Sequence, residues 1–243
     1  MNRNVMVQEA PGEALESVPC GGARMRACLF DLDGVLVDTA GYHYQAWRRL
    51  ARSLGHDFTE AENEQLKGIS RIESLKKLLA WAGLDMPENA QQSLAEAKNK
   101  DYVSMIEKMR PADVLPGVRP FLESLKAAGY RVALGSASKN AGLILDRTGL
   151  RSYFDEIVDG NLVQRSKPDP EVFLTGAKLL DVAVSDCIVF EDAQAGIEAA
   201  KRAGMLAIGI GDATILQQAD LVIESMSALS LELLQALWAK GNQ

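Results

Sequence analysis

The chain has only three cysteines, Cys20, Cys28 and Cys187, among its 243 residues. Because the number is odd and Cys28 and Cys187 lie in short apolar runs, we expect buried reduced thiols rather than disulfides or a cysteine metal cage. No run is long and apolar enough to cross a membrane. Residues 1–24 lack the pattern of a signal peptide, and their Pro, Gly, Glu and Ser content predicts a disordered leader. We therefore expect a cytoplasmic protein.

An excess of positive charge is also missing. Lysine and arginine number 26 against 33 aspartates and glutamates, which gives a formal net charge of −7. This balance argues against a nucleic-acid groove or an anionic membrane surface, although a local basic patch can still bind phosphate. The apolar and charged fractions are those of a soluble globular protein, and the length suits one large or two small domains. We expect neither a nucleic-acid partner nor a membrane partner.

The most informative stretch is the apolar run Cys28–Phe30, which ends in two acids, Asp31 and Asp33, followed by Gly34. A continuous apolar run predicts a strand buried on both faces, and its carboxyl end is where open parallel sheets place ligands. Gly34 permits a turn that aims the two carboxylates differently. Asp31 can then be a metal-bound nucleophile while Asp33 donates or accepts a proton. A strand end with two solvated acids explains this pair equally well.

The rest of the chain divides into two parts that differ in their pattern of apolar residues. Residues 39–111 show only helical periodicity, with apolar stripes around Trp47, Leu75 and Tyr102. Short apolar strands then alternate with helices, which predicts a doubly wound parallel sheet. The expected strands lie at 132–134, 157–158, 187–190, 207–210 and 221–223. The strand at 26–31 must join them, so we predict an α/β fold: a Rossmann-like core of residues 25–38 and 112–243, with an inserted all-helical cap domain of residues 39–111.

Two further loops that follow predicted strands carry residues suited to binding an anion. Residues 135–140 (GSASKN) combine hydroxyl groups and a lysine with the N-terminus of the next helix, which favours either an anion cradle or a helix cap supplied by Ser138. Lys167 precedes Pro168 in an extended loop, where a lysine is usually a solvated surface charge. Both loops should lie at the same edge of the sheet as Asp31.

A second pair of acids, Glu191 and Asp192, directly follows the apolar run 188–190. Facing Asp31, this pair would form an oxygen-only cluster of the kind that suits Mg²⁺. Mg²⁺ and Lys167 would offset charge on transferring oxygens, and a carboxylate can serve as the nucleophile by forming an aspartyl phosphate. The combined order of these motifs therefore indicates phosphoryl transfer.

This set of motifs resembles the haloacid-dehalogenase-like (HAD) phosphotransferases, and the resemblance covers nearly all of residues 25–240. Many phosphatases share the broad motifs, which are Asp31–Thr39 (DLDGVLVDT), Ser136, Lys167-Pro168 and Glu191-Asp192. The narrower motifs resemble the mutases of the family that act on β-glucose 1-phosphate. These are Thr39–His43 with Trp47, Leu66–Arg71 (LKGISR), Ser136–Asn140 and Asp192–Ile197 (DAQAGI).

The resemblance implies a role for each matching residue. Asp31 would be phosphorylated and ligate Mg²⁺, and Asp33 would be the general acid/base and give its backbone carbonyl to the metal. Glu191 and Asp192 would complete the ligands, while Ser136 and Lys167 would hold the transferring phosphoryl group. Arg71, Ser138, Lys139 and Asn140 would hold the other phosphate. The remaining substrate contacts implied are Leu32, Thr39, His43, Trp47, Lys67, Gly68, Ile69, Ser70, Lys98, Asn99 and Ala137.

The implied activity interconverts β-D-glucose 1-phosphate and D-glucose 6-phosphate through an aspartyl phosphate and β-glucose 1,6-bisphosphate. We expect one Mg²⁺ per chain, a sugar-phosphate substrate and a monomer. A sugar-phosphate phosphatase on the same core and a non-catalytic sugar-phosphate sensor are the alternatives. Arg71 could instead be a solvated charge that begins a helix, and His43 a packed histidine on the Trp47 stripe. Gly135 and Pro168–Glu171 depart mildly from the family pattern, which leaves room for a related sugar phosphate.

Overall fold

The computed structural model describes residues 25–241, so the predicted leader and Cys20 lie outside the described residues. Within this range, six strands form one parallel sheet in the order β3-β2-β1-β4-β5-β6. The strands are β1 (Ala27–Phe30), β2 (Arg131–Gly135), β3 (Glu156–Val158), β4 (Cys187–Glu191), β5 (Leu206–Ile210) and β6 (Leu221–Ile223). β1 pairs with β2 on one side and with β4 on the other, although both are distant in sequence. The predicted α/β fold with a parallel sheet is confirmed.

Helices pack on both faces of the sheet, and five of the described α-helices fall between β1 and β2 in the chain; the first four lie within residues 39–111. The α-helices are α1 (Ala40–Ser53), α2 (Glu60–Glu64), α3 (Arg71–Trp81), α4 (Glu88–Ile106), α5 (Val118–Ala127), α6 (Ala141–Thr148), α7 (Glu171–Leu180), α8 (Gln194–Arg202) and α9 (Leu231–Gly241). Helices α1, α3 and α4 and the loops between them share an apolar cluster, which includes Trp47, Phe58, Leu75 and Leu78. Among the described residues, no helix combines the length and the apolar character that crossing a bilayer requires.

β1 is buried on both faces, as its continuous apolar run predicts. Phe30 belongs to one core cluster and Leu29 to the cluster on the opposite face. The ring of Phe30 stacks on that of Phe190 in β4, with centroids 4.4 Å apart and an angle of 6° between the planes. Burial of a side chain of this size is worth about 1.5–3 kcal/mol. The strand ends that carry the predicted site are therefore supported by a close-packed core.

The two described cysteines follow the expectation for this core. Cys28 and Cys187 are free and buried, and they lie in clusters on opposite faces of the sheet. Burial raises the pKa of the Cys28 thiol well above its usual range and that of Cys187 to about 12. Both are inert core residues rather than nucleophiles.

The predicted strands agree with the observed ones to within about two residues, and the small differences have local causes. β4 runs one residue further than expected, so Glu191 is its last residue and pairs with Gly209 instead of following the strand. Helices α2 and α9 are additions that the periodicity did not predict. α2 has only five residues, but Thr59 and Glu62 form a reciprocal capping box that marks its start.

Candidate active site

The carboxyl ends of the three central strands bring distant residues together at one edge of the sheet. Asp31 follows β1 directly, and its backbone N–H donates to the carbonyl of Phe190 at 3.0 Å. Ser136 follows β2 in the same way, donating to the carbonyl of Val158 at 2.9 Å. The backbone ladder therefore continues past the strands and fixes both residues. Glu191, at the end of β4, lies beside them by register.

Three carboxylates and one ammonium group form the centre of this edge. Asp31, Glu191 and Asp192 each offer one oxygen within 4.8 Å of the others. Lys167 Nζ donates to Asp31 Oδ1 at 2.5 Å and to Glu191 Oε1 at 2.6 Å, and its side chain is fully buried. The alternative of a solvated surface lysine is therefore wrong. Lys167 precedes a cis peptide bond to Pro168.

The electrostatics of the cluster reflect crowding of like charge. Burial, followed by the Asp31 charge, raises the pKa of Glu191 to about 7. Burial, followed by the charges of Glu191 and Asp31, raises the pKa of Asp192 well above its usual range. Burial alone would lower the pKa of Lys167, but Asp31 and Glu191 carry it above its usual value. A buried, oxygen-only donor set with more negative than positive charge fits a hard divalent cation.

Two glycines allow this cluster to pack. A Cβ atom at Gly34, which has φ of +82°, would lie 2.1 Å from Asp192 Oδ2. A Cβ atom at Gly196 would lie 1.8 Å from Glu191 Oε1. Both positions therefore require glycine, because any side chain would displace a carboxylate of the cluster.

Asp33 faces a different set of groups from Asp31. Its backbone N–H donates to Asp31 Oδ2 at 3.1 Å, while its own carboxylate accepts a hydrogen bond from the Thr39 hydroxyl. His43 Nε2 lies 3.9 Å from Asp33 Oδ1. Burial, followed by the Asp31 charge, raises the pKa of Asp33 to about 6, against the lowering effect of Thr39. A carboxyl group with this pKa can accept and donate a proton near neutral pH.

A cationic and aromatic cluster from α1 and α4 stands beside Asp33. Lys98 Nζ lies 3.1 Å from His43 Nδ1. It also lies over two aromatic rings, 4.5 Å from the ring centroid of Trp47 and 4.8 Å from that of Tyr102. The His43 ring packs on Tyr102 with centroids 4.2 Å apart. His43 is thus a packed histidine, as the simpler interpretation held, and also a neighbour of Asp33.

Burial sets the protonation of this cluster. It lowers the pKa of Lys98 to about 7, with the Arg71 charge as the second cause. It lowers the pKa of His43 well below its usual range, and the charges of Lys98 and Arg71 act in the same direction. His43 is therefore neutral at pH 7, and Lys98 is poised to gain a charge when an anion approaches.

The loop after β2 folds back on itself through its hydroxyl groups. Ser136 Oγ accepts from the backbone N–H of Ser138 at 3.1 Å, and Ser138 Oγ accepts from that of Asn140 at 3.2 Å. Asn140 occupies the N-cap position of α6, so the alternative in which Ser138 caps the helix is wrong. Asn140 Nδ2 donates to Asn99 Oδ1 of α4 at 2.8 Å, which joins this loop to the helical insertion.

A cavity of about 440 Å³ lies between the insertion and the sheet edge. Most of the predicted site residues line it: Asp31, Asp33, Thr39, His43, Trp47, Lys67, Gly68, Ile69, Ser70, Arg71, Lys98, Asn99, Ala137, Ser138, Lys139, Asn140 and Asp192. Four do not, namely Leu32, Ser136, Lys167 and Glu191, all of which are buried. The Leu32 side chain is part of the core, so only its backbone can serve the site.

The cavity wall also includes polar residues that the sequence analysis did not single out. They are Asn63, Glu73, Ser74, Gln92, Glu96, Gln164, Arg165 and Ser166. Gln92, Glu96 and Asn99 recur at helical spacing on α4, and that pattern was available as a signal for one face of this helix. The segment 164–166 carries no such periodicity.

The cavity wall carries groups of both signs. Five basic side chains line it, namely Lys67, Arg71, Lys98, Lys139 and Arg165, together with five acidic ones, Asp31, Asp33, Glu73, Glu96 and Asp192. Arg71 begins α3, as the simpler interpretation held, but its half-buried side chain borders the cavity. The acidic cluster and these cations together suit an anionic ligand that spans the cavity.

Comparison with known proteins places these features in a family. A sequence model described as "haloacid dehalogenase-like hydrolase" matches residues 25–204. A β-phosphoglucomutase of Bacillus subtilis (strain 168) is 45% identical over 216 residues, covering 88% of this chain and 96% of that protein. A phosphorylated carbohydrates phosphatase of Thermotoga maritima is 35% identical, covering 74% and 82% respectively. The crystal structure of a β-phosphoglucomutase from Clostridium difficile superposes with a TM-score of 0.86 at 42% identity, covering 89% of this chain and 98% of that one.

Proposed function

The chain belongs to the haloacid dehalogenase-like hydrolase family, and from this premise we propose that it is a β-phosphoglucomutase. The reaction is the interconversion of β-D-glucose 1-phosphate and D-glucose 6-phosphate. Its main support is the 45% identity with a protein of that name over most of both chains. The observation that carries it in the structure is a single cavity that joins Asp31 to a second set of anion-binding groups around Arg71.

We propose that Asp31 is the nucleophile. Its Oδ1 accepts from Lys167, and its Oδ2 accepts from the Asp33 N–H, so the carboxylate is oriented from two sides. A phosphoryl group on Asp31 would pass to the 6-hydroxyl of β-glucose 1-phosphate: the new O–P bond forms at the sugar while the Asp31 acyl O–P bond breaks. Lys167 and Ser136 would hold the phosphoryl oxygens during transfer.

Asp33 would accept the proton that the 6-hydroxyl releases. A pKa of about 6 keeps most of its carboxyl groups ionised at pH 7 and still lets the same group return the proton in the reverse direction. The bound β-glucose 1,6-bisphosphate then turns over, and Asp31 recovers the phosphoryl group from position 1. Asp33 protonates the departing oxygen, and glucose 6-phosphate is left.

We propose Mg²⁺ as the cation, held by the side chains of Asp31, Glu191 and Asp192 and by the backbone carbonyl of Asp33. The fit rests on the three convergent carboxylates, and on their burial and mutual repulsion, which raise the pKa values of Glu191 and Asp192. When bound, Mg²⁺ supplies positive charge that stabilises the developing charge on the transferring phosphoryl group.

The second phosphate would lie at the other end of the cavity. Arg71 is the cation that the insertion contributes there, and Ser138, Lys139 and Asn140 contribute hydroxyl, ammonium and amide donors from the core. A mutase must bind the sugar in two orientations and therefore needs two such ends, whereas a phosphatase needs one. Contacts with the sugar itself would come from Gly68, Ile69 and the polar face of α4.

We further propose that residues 39–111 act as a cap domain over a core of residues 25–38 and 112–243. Helices α1, α3 and α4 share an apolar cluster that is separate from the two clusters of the sheet, which supports an independent unit. Closure of this cap would exclude water, because an aspartyl phosphate that meets water makes the protein a phosphatase. We also propose a monomer in the cytoplasm, in keeping with the two buried free thiols.

A sugar-phosphate phosphatase is the second candidate, favoured by the 35% identical carbohydrate phosphatase relative. A coupled assay for glucose 6-phosphate, run with Mg²⁺ and a catalytic amount of β-glucose 1,6-bisphosphate, separates the two. β-Glucose 1-phosphate should yield glucose 6-phosphate with little free phosphate, and the α-anomer should yield neither. Stoichiometric phosphate without glucose 6-phosphate would establish the phosphatase instead.

Two variants test the assignment within the site. Asp31→Asn should abolish turnover, because an amide cannot form the acyl phosphate. Arg71→Ala should weaken the mutase reaction far more than the hydrolysis of a small phosphate ester, which needs only the Asp31 end of the cavity. Equal losses in both reactions would contradict the two-ended arrangement.

A further inference from the structure

Lys67 connects the helical insertion to one carboxylate of the acidic cluster. It lies in the turn between α2 and α3, and its Nζ is 3.3 Å from Asp192 Oδ2 and 2.9 Å from Glu64 Oε2. The Lys67 side chain is 30% exposed and that of Asp192 only 11%. The ion pair is therefore sheltered on the side of the sheet edge and open on the side of the insertion.

The surroundings give Asp192 little freedom to leave this contact. Gly34 approaches so closely that a Cβ atom there would lie 2.1 Å from Asp192 Oδ2. On the other side, Gly68, with φ of +74°, brings the turn against the backbone that follows Asp192, where a Cβ atom would lie 3.3 Å from Ala193 Cβ. The turn of the insertion thus rests directly on the loop that carries Asp192.

Lys67 also stands where two cavities meet. Lys67, Asp192 and Gly34 line the substrate cavity and also a second cleft of about 450 Å³. The Lys67 ammonium therefore pairs with a carboxylate of the metal-binding set at the boundary of both cavities.

We propose that Lys67 is a positioning residue that couples the cap to the metal site, because its ammonium group and a divalent cation compete for the Asp192 carboxylate. Cation binding would weaken the Lys67–Asp192 pair and loosen the turn 66–68 on the sheet edge. Because the two equilibria are linked, the Lys67–Asp192 contact lowers the affinity for the cation by the same factor by which the cation weakens that contact. The inference rests on the proposed function only in treating the acidic cluster as the metal site. Lys67 then acts through Asp192 rather than on the sugar phosphate.

The first test is a titration of the substrate-free protein with Mn²⁺, with the free ion followed by electron paramagnetic resonance. Lys67→Met should bind Mn²⁺ about two- to fivefold more tightly than the unaltered chain, the range expected for loss of a partly exposed ion pair. Lys67→Arg should stay close to the unaltered value. Lys76→Met is the matched control, because Lys76 forms the same i,i+3 pair with Glu73 but does not line the cavity.

The second test measures the position of the cap. Hydrogen exchange at residues 66–70 should become faster when Mg²⁺ is added to the unaltered chain, and Lys67→Met should show fast exchange with or without Mg²⁺. Unchanged or weaker Mn²⁺ binding by Lys67→Met would overturn the proposal. Tighter Mn²⁺ binding by Lys67→Met would also overturn the proposal if Mg²⁺ did not change hydrogen exchange at residues 66–70 of the unaltered chain. The tighter binding would then come only from removal of the repulsion between the lysine charge and the cation. Neither measurement uses substrate. Absence of mutase activity would therefore not contradict the coupling between Lys67 and the metal site, and absence of the coupling would not contradict the mutase activity.

Discussion

Replacing Lys98 with methionine should stabilise the fold while it damages the site. Lys98 is 4% exposed, and burial together with the Arg71 charge lowers its pKa from 10.5 to about 7. At 1.36 kcal/mol per pK unit, a fall of this size corresponds to a penalty of at most about 5 kcal/mol for the charged form in the folded state. Methionine keeps most of the length and the apolar stem of lysine without the charge.

The contacts of Lys98 offset part of this penalty. The ammonium lies over the rings of Trp47 and Tyr102 and beside His43 Nδ1. Each cation–π contact is worth about 0.5–2 kcal/mol and the hydrogen bond about 1 kcal/mol. Two such contacts and the hydrogen bond together offset about 2–5 kcal/mol, so Lys98→Met should be more stable than the unaltered protein by up to about 3 kcal/mol at pH 7.

The sign of the pH dependence follows from the two pKa values. The unfolded chain keeps the Lys98 proton up to pH 10.5, whereas the folded chain releases it near pH 7. The penalty is therefore complete below pH 7, shrinks as the pH rises, and is gone above pH 10.5. Between pH 7.5 and 9.5 the stability difference should shift in favour of the unaltered protein by about 1.4 kcal/mol per pH unit, so the variant should lose most or all of its advantage within this range.

Urea unfolding followed by circular dichroism at pH 7.5, 8.5 and 9.5 measures this difference directly. Mutase activity, measured in parallel, should fall because Lys98 lines the cavity. Lys76→Met is the control for loss of an exposed lysine outside the site, since Lys76 pairs with Glu73 on the surface of α3. A Lys98→Met protein that is less stable at pH 7.5, or a difference that stays constant with pH, would refute the reasoning, since Lys98 would then be a satisfied charge.

Three further predictions follow from the geometry of the site. Mg²⁺ at 100 times its dissociation constant should raise the free energy of unfolding by about 2.7 kcal/mol. Asp192→Asn should lose most of this stabilisation, measured by thermal melts with and without Mg²⁺. If Mg²⁺ stabilised the variant as much as the unaltered protein, the acidic cluster would be excluded as the metal site. Gly34→Ala should abolish Mg²⁺-dependent stabilisation, because its Cβ atom would meet Asp192 Oδ2 at 2.1 Å, whereas Gly41→Ala, with nothing within 4 Å, should retain it. Asn99→Ala removes the hydrogen-bond partner of Asn140. In steady-state kinetics it should raise KM for β-glucose 1-phosphate several-fold and change the hydrolysis of a small phosphate ester little. A lower kcat at unchanged KM would contradict a role of Asn99 in positioning Asn140 for substrate binding.

The sheet and the acidic cluster were predictable because their causes are local. A strand buried on both faces shows as a continuous apolar run, and β1 and β4 both have one. Parallel pairing then aligns their carboxyl ends, so Asp31 and Glu191 meet although 160 positions separate them. The position of Lys167 at this sheet edge was also expected, because its loop follows a predicted strand. Its burial against Asp31 and Glu191 was not, because a lone lysine is usually a solvated surface charge.

The contacts made by the insertion were not predictable in the same way. The Lys98–His43 contact depends on how α1 and α4 pack, and the Asn99–Asn140 hydrogen bond on how the insertion sits over the sheet. Neither arrangement is a property of one periodic segment. Ser138 does not cap the helix for a related reason: its hydroxyl accepts a hydrogen bond within the loop, two residues before the N-cap residue Asn140.

The difference between a hydrolase and a mutase must reside in the insertion if the proposed roles hold. Asp31, Lys167 and Glu191 all come from the sheet edge, and they would serve attack by water as well as attack by a sugar hydroxyl. The proton acceptor is different: Asp33 is held by Thr39 and lies 3.9 Å from His43, both of which belong to residues 39–111. The segment that encloses the sugar therefore also orients the base. A water molecule that reached Asp31 with the insertion displaced would find the nucleophile's phosphoryl group but no aligned acceptor for its proton.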